Sequence, residues 1–192
     1  MSVSTAQEPA SGRLNIVRLV AGLDDLAQRQ DRAALAALRR GLGKAPGEAP
    51  EMFPIIVPLL PSARLRPWDE ACGYLVASLF GFYPDGSWRG EGDGRWSRNL
   101  GVSLRLLASG MDSAGPERRL IALLNSDLDD LGSHLRGIVA LLRGKAIPID
   151  WTQLGRDLLA WDRPSRDVQR RWATAFWGQR ADASDGDDRA SE

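Results

Sequence analysis

The chain contains no stretch in which apolar and polar residues alternate in twos, and that absence governs what it can fold into. A half-buried β-strand needs that alternation, because its side chains point to opposite faces in turn. Apolar residues recur here at spacings of three and four, which line one face of an α-helix. Leu14, Val17, Val20, Leu23 and Ala27 outline a first helix of this kind. Asp31 is placed to cap a second, DRAALAALRRGLG, with Leu35, Leu38 and Leu42 on its apolar stripe and glycines at its stop. The spacing predicts an all-α fold, a compact bundle of about eight or nine helices with room for a two-lobed shape.

Punctuation residues place the rest. PEMFPIIVPLLP carries prolines at 50, 54, 58 and 61, so it is expected as broken helical turns. Pro67 opens PWDEACGYLVASLFGF, with Asp69 and Glu70 in the first turn, where the helix dipole favours acids. Residues 84–96, PDGSWRGEGDGRW, read as a mobile glycine-rich loop flanked by Trp88 and Trp96. A helix from Leu100 to Ser109 follows, then one opened by Gly115 and Pro116. Ser126 is expected to cap a longer helix, with Asp127 and Asp129 in its first turn. Asp150 and Gln153 have capping-box spacing for WTQLGRDLLAW, and Ser165 is expected to cap RDVQRRWATAFWG. Trp68, Trp151, Trp161, Trp172 and Trp177 fall on apolar helix faces and are expected in the core. The expected layout is a disordered leader at 1–12, a helical domain at 13–180 and a disordered acidic tail at 181–192.

Enzyme signatures fail one by one. Cys72 is the single cysteine, expected as a small buried hydrophobe, and it fits a reducing cytoplasm without a disulfide framework. His134 is the single histidine, and one His with one Cys makes neither a zinc site nor a nucleophile–base pair. GEGDG follows no strand, so it is no phosphate cradle, and the acids of SDLDDL are explained by the helix dipole. No catalytic residue, metal or cofactor is expected. No apolar run approaches the length of a membrane span, and MSVSTAQEPASG has neither the basic nor the apolar segment of a signal peptide.

Charge carries more information. The formal charge is zero, but Asp182, Asp185, Asp187, Asp188 and Glu192 crowd the last twelve residues against Arg189 alone. The body from Arg13 to Arg180 is correspondingly basic, and 23 of the 25 bases of the chain are arginine. Arginine's planar fork suits phosphate, although a bias toward arginine codons would produce the same count. Arginine pairs occur at Arg39–Arg40, Arg118–Arg119 and Arg170–Arg171. At about 100° per residue, each of the first two pairs has one member opposite its apolar face and one at the edge. Arg118 and Arg119 also sit at a helix start, where the dipole repels cations. From Leu131 to Ile149 there is no acid against Arg136, Arg143 and Lys145. Arg136 and Arg143 share a stripe with Ala140, and Gly132, Ser133 and Gly137 lie nearby, so a phosphate chain or an acidic protein surface can approach the helix closely.

The segments DRAALAALRRGLG, GPERRLIALLNSDLDDLGSHLRGIVALLR, IDWTQLGRDLLAW and VQRRWATAFW, in this order, resemble the CasB family. That family is the small subunit of the type I-E CRISPR surveillance complex, Cascade. The resemblance runs from about residue 14 to residue 178. It implies an all-helical, non-catalytic, cytoplasmic subunit that lies beside a second copy of itself and meets the backbone and large subunits. It also implies contact with CRISPR RNA and target DNA, including the displaced strand of the R-loop. Carried over by motif, the nucleic-acid contacts are Arg39 and Arg40 of LRR, Arg118 and Arg119 of ERR, and Arg136 of HLR. Arg143, Lys145 and Arg163 extend that set by position. The other reading of the same arginines is a helical adaptor for an acidic protein partner.

Overall fold

Helix α1 runs Ile16–Gln28, α2 Arg32–Arg39, α3 Phe53–Ile56, α4 Pro67–Phe82 and α5 Leu100–Ser109. They are followed by α6 Gly115–Asn125, α7 Leu128–Gly144, α8 Trp151–Leu159 and α9 Asp167–Ser184. The structure is a computed structural model that describes residues 12–88, 98–110 and 114–184. Among them the extended pairing is limited to two isolated bridges, Gly12 with Leu65 and Ser87 with Ile149. The fold is all-α, as the spacing requires. Leader residues 1–11, loop residues 89–97 with Trp96, and tail residues 185–192 lie outside the described residues. Residues 181–184 of the expected tail instead continue α9, and residues 84–88 of the expected loop contain a 3-10 turn and are tied by backbone hydrogen bonds to Ile149.

Buried side chains from α1 through α9 form one continuous cluster. Helix α4 is its axis: Cys72, Val76, Ala77, Leu79 and Phe80 are fully buried, and α1, α2, α7 and α8 all pack on it. Burial pushes the Cys72 thiol far above its ordinary range, which leaves it an inert core residue. Trp151, Trp161 and Trp172 are core residues, and half-buried Trp68 and Trp177 pack against the core. The N-terminal helix meets a late one, because a Cβ on Gly155 of α8 would stand 2.6 Å from Ile16 Cδ1.

Local punctuation is mostly legible, with four differences. The core face of α1 is Ile16, Leu19, Val20 and Leu23, while Val17 is 51% exposed. Leu14 is buried but precedes the helix, so it cannot set the helix phase. Asp127, not Ser126, caps α7 by accepting from Asp130 N, and Ser126 Oγ closes α6 by donating to Leu123 O (2.8 Å). Asp150 caps α8, but Gln153 turns its Nε2 inward to Asp157 instead of completing the box. Ser165 donates to the Asp167 carboxylate, and α9 begins two residues later than that serine. The proline segment forms two 3-10 turns around the single turn α3.

Asp157, 1% exposed, ties α8 to α9. It accepts from Gln153 Nε2 (2.9 Å), Arg171 Nη2 (2.8 Å) and Trp172 Nε1 (2.6 Å). Burial raises its pKa, against the lowering pull of those partners. The start of α9 is also held to α6, through the Arg166 guanidinium on Leu124 O.

Candidate nucleic-acid interface

The C-terminal turn of α2 is positioned by a glycine. A Cβ on Gly81 of α4 would stand 2.9 Å from Leu35 O and 3.0 Å from Arg39 N, so only glycine lets the two backbones approach this closely. Arg39 and Arg40 emerge exposed from that turn, where the helix dipole favours cations. Arg40 stands 3.9 Å from Glu51 Oε1. Both side chains are largely solvated, so that pair is weak.

Helix α7 brings its stripe to the same place. Arg143 lies over the Phe82 ring at 4.9 Å, and with Arg32 and Arg39 it lines a groove of about 580 Å3. Two turns earlier, Arg136 faces the turn after α2, since a Cβ on Gly43 would stand 3.7 Å from its Nη1. Arg136 shares a second groove with Lys44. The exposed face of α7 between the two arginines carries Gly137 and Ala140 and offers little steric hindrance. The structure therefore brings Arg39 of α2 into one groove with Arg143 of α7, about 100 residues later in sequence. It places Arg136, on the same stripe of α7, in the groove beside the turn after α2, so that the three form one basic face. It adds Arg32 and Lys44. Arg32 stands seven residues before Arg39, the same spacing as Arg136 and Arg143, and that spacing is the signal in the sequence that points to it.

The other sequence candidates lie elsewhere. Lys145 is the exposed C-cap residue of α7. Arg163 lines a separate groove of about 670 Å3 with Arg13, Arg66 and Arg156. Asp69 and Asp162 also line that groove, and Arg66 is held by Asp69 through two hydrogen bonds (3.1 and 2.7 Å). Arg118 and Arg119 project exposed from the first turn of α6, which packs on α5 and α7. Neighbouring Glu117 accepts from Trp177 Nε1 (3.1 Å), which holds this helix start against α9. Arg119 Nη1 donates to Gly115 O (3.3 Å), a surface bond of small worth. Replacing Arg118 and Arg119 by alanine is expected to leave the melting temperature unchanged or slightly higher, because two cations are removed from a dipole that repels them. A fall of more than about 4 °C would make the pair structural. Among the described residues, no group of three His, Cys, Asp or Glu side chains is arranged to hold a metal ion. No described helix is long and apolar enough to cross a membrane.

The chain and its fold have known relatives. Residues 34–177 match the family model for CRISPR-associated protein Cse2. A CRISPR-associated protein Cse2 from Thermus thermophilus is 38% identical over 151 residues, which cover 79% of this chain and 82% of that one. The crystal structure of a Cse2-family protein from Thermus thermophilus superposes with a TM-score of 0.72 at 35% identity, covering 85% of this chain and 97% of the other. A chain of a CRISPR RNA-guided surveillance complex in a pre-nicking state gives a TM-score of 0.71 at 30% identity, over 88% and 97% of the two chains. With the family model spanning residues 34–177 and the fold shared over 85–88% of the chain, this chain belongs to the Cse2 family, whose solved members also carry the name CasB.

Proposed function

We propose that the chain is the small, non-catalytic subunit of a CRISPR RNA-guided surveillance complex, and that its arginines hold nucleic-acid backbone and stabilise the displaced DNA strand. The observation that carries this reading is the meeting of Arg32 and Arg39 of α2 with Arg143 of α7 in one groove, with Arg136 on the same stripe of α7 beside Lys44 in the next. Guanidinium groups bind phosphate oxygens in bidentate fashion, and the associated release of counterions drives binding without reading bases. That suffices here, because guide pairing supplies sequence and the protein needs only backbone and shape. Arg40, Arg118, Arg119, Lys145 and Arg163 extend the contact along other sides of the subunit. Its partners are CRISPR RNA, target DNA, the backbone and large subunits, and a second copy of itself.

Purification through a tag on this chain, after co-expression with the products of the adjacent genes, is expected to yield a particle containing RNA. Its binding to target DNA should weaken steeply with salt and be insensitive to which matched target is used. Partner proteins recovered without RNA would return the adaptor reading.

The tail supplies a second check. Asp185, Asp187, Asp188 and Glu192 oppose Arg189 alone, so this segment competes with phosphate for basic faces. Truncation after Ser184, the last residue of α9, should leave folding intact and strengthen DNA binding about two- to threefold at low salt. The gain should vanish as salt rises; equal affinities at low salt would place the tail away from the contact.

A further inference from the structure

A groove of about 680 Å3 lies between the turn after α2, the N-terminal half of α4 and the first turns of α7. Trp68 and Leu75 line it, Gly132 leaves it open, and exposed Lys44 and Arg136 border it. The Trp68 ring is fixed from behind, since its Nε1 donates to Leu158 O (3.0 Å). A Cβ on Gly132 would meet nothing nearer than Leu75 Cδ1 at 3.6 Å, so the space beside it is free. Asp129, at the first turn of α7, is the one acid along the lining.

An aliphatic peptide would not need the two cations, and a phosphate alone would not need the aromatic wall. An unstacked nucleotide needs both, since its base gains from an aromatic face and its phosphate from a cation. The groove is continuous with the basic face through Arg136, so a strand held on α7 passes its mouth. We propose that this groove receives one unstacked base of a single-stranded nucleic acid, with the base against Trp68 and the flanking phosphate on Lys44 and Arg136. Asp129 then suits an exocyclic amino group of the base rather than the phosphate. This inference rests on the nucleic-acid reading given above.

The test uses two single-stranded DNA probes about 12 nucleotides long with equal numbers of phosphates, one of mixed sequence and one abasic throughout. The full-length chain is expected to bind the mixed probe roughly tenfold more tightly than the abasic one by fluorescence anisotropy. Gly132→Leu fills the groove and replaces glycine inside a helix with a better helix former, so folding is preserved. It should bind both probes equally, at the abasic affinity of the parent, with an unchanged or higher melting temperature. Trp68→Ala should act likewise on binding, and the glycine variant keeps the test valid if the loss of Trp68 also loosens the fold. A parent that binds both probes equally overturns the groove and leaves the proposed function standing. A parent that binds neither probe at low salt overturns both. A Gly132→Leu chain that still prefers the mixed probe but no longer enters the assembled complex would give the groove to a protein segment and overturn the inference.

Discussion

Replacing Arg39, Arg136 and Arg143 together by alanine is expected to weaken binding of the assembled complex to target DNA on the order of 100-fold at low salt. All three are exposed and stand on one face, so the loss falls on the ligand rather than on the core. Each lost phosphate contact also removes counterion release, and the slope of log affinity against log salt should fall by about two to three units. The effect should be uniform across matched targets, because no base is being read by these side chains. Arg143 also rests on Phe82, so a drop in melting temperature of about 2–4 °C belongs to the lost cation–π contact. A salt series of equilibrium binding curves decides the matter. Unchanged affinity and slope would show that this face does not touch nucleic acid.

Asp157→Ala is expected to cost about 3 kcal/mol of stability, a large effect for a single side chain. The substitution leaves the Trp172 indole N–H buried without its acceptor, and it removes the link between α8 and α9. Half-exposed Arg171 returns to solvent, which keeps the cost below that of stranding a fully buried cation. The pH dependence has a definite sign. The folded-state pKa of Asp157 lies above its ordinary 3.8, so between those values the folded chain holds more protons than the unfolded one. The contribution of this group therefore falls as pH rises through that window and is regained on acidification. The stability gap between parent and variant should widen in urea unfolding as pH falls from neutral toward the ordinary value of 3.8. A gap that narrows on acidification would mean that the hydrogen bonds to the carboxylate outweigh its burial.

How much of this is legible in the sequence depends on how local each feature is. Leu100–Ser109 is bounded in the structure where the sequence places it, because Asn99 caps one end and Gly110 stops the other. The cap of α7 is ambiguous in the sequence because Ser126 and Asp127 are adjacent and equally good caps. What decides between them is the engagement of Ser126 with the end of α6, a contact that spacing does not encode. Periodicity turns Val17 inward because Leu14 suggests a stripe one residue out of phase with Ile16 and Leu19. Asp157 escapes a search for functional motifs, although an acid inside RDLLAW with apolar neighbours close by is a visible anomaly. The individual arginines can be named from helix phase and family resemblance. Their union on one face depends on α2 lying against Gly81 while α7 crosses the same end of α4, and only the fold brings those together.

The contact between Ile16 and Gly155 sets a schedule for the nascent chain. Roughly 140 residues separate the two, and at 5–20 residues per second the ribosome needs between about 7 and 28 seconds to supply the second after the first. Until α8 has emerged, the start of α1 has no seat, although its neighbours α2 and α4 are already present. A ribosome-arrested chain ending near residue 140 should therefore be cleaved by protease within α1, whereas one extended past α8 and clear of the exit tunnel should resist. Order of synthesis and order of completion differ in this molecule: the first helix to be made is among the last to be finished, and a shortened transcript would release a sticky intermediate rather than a smaller working subunit.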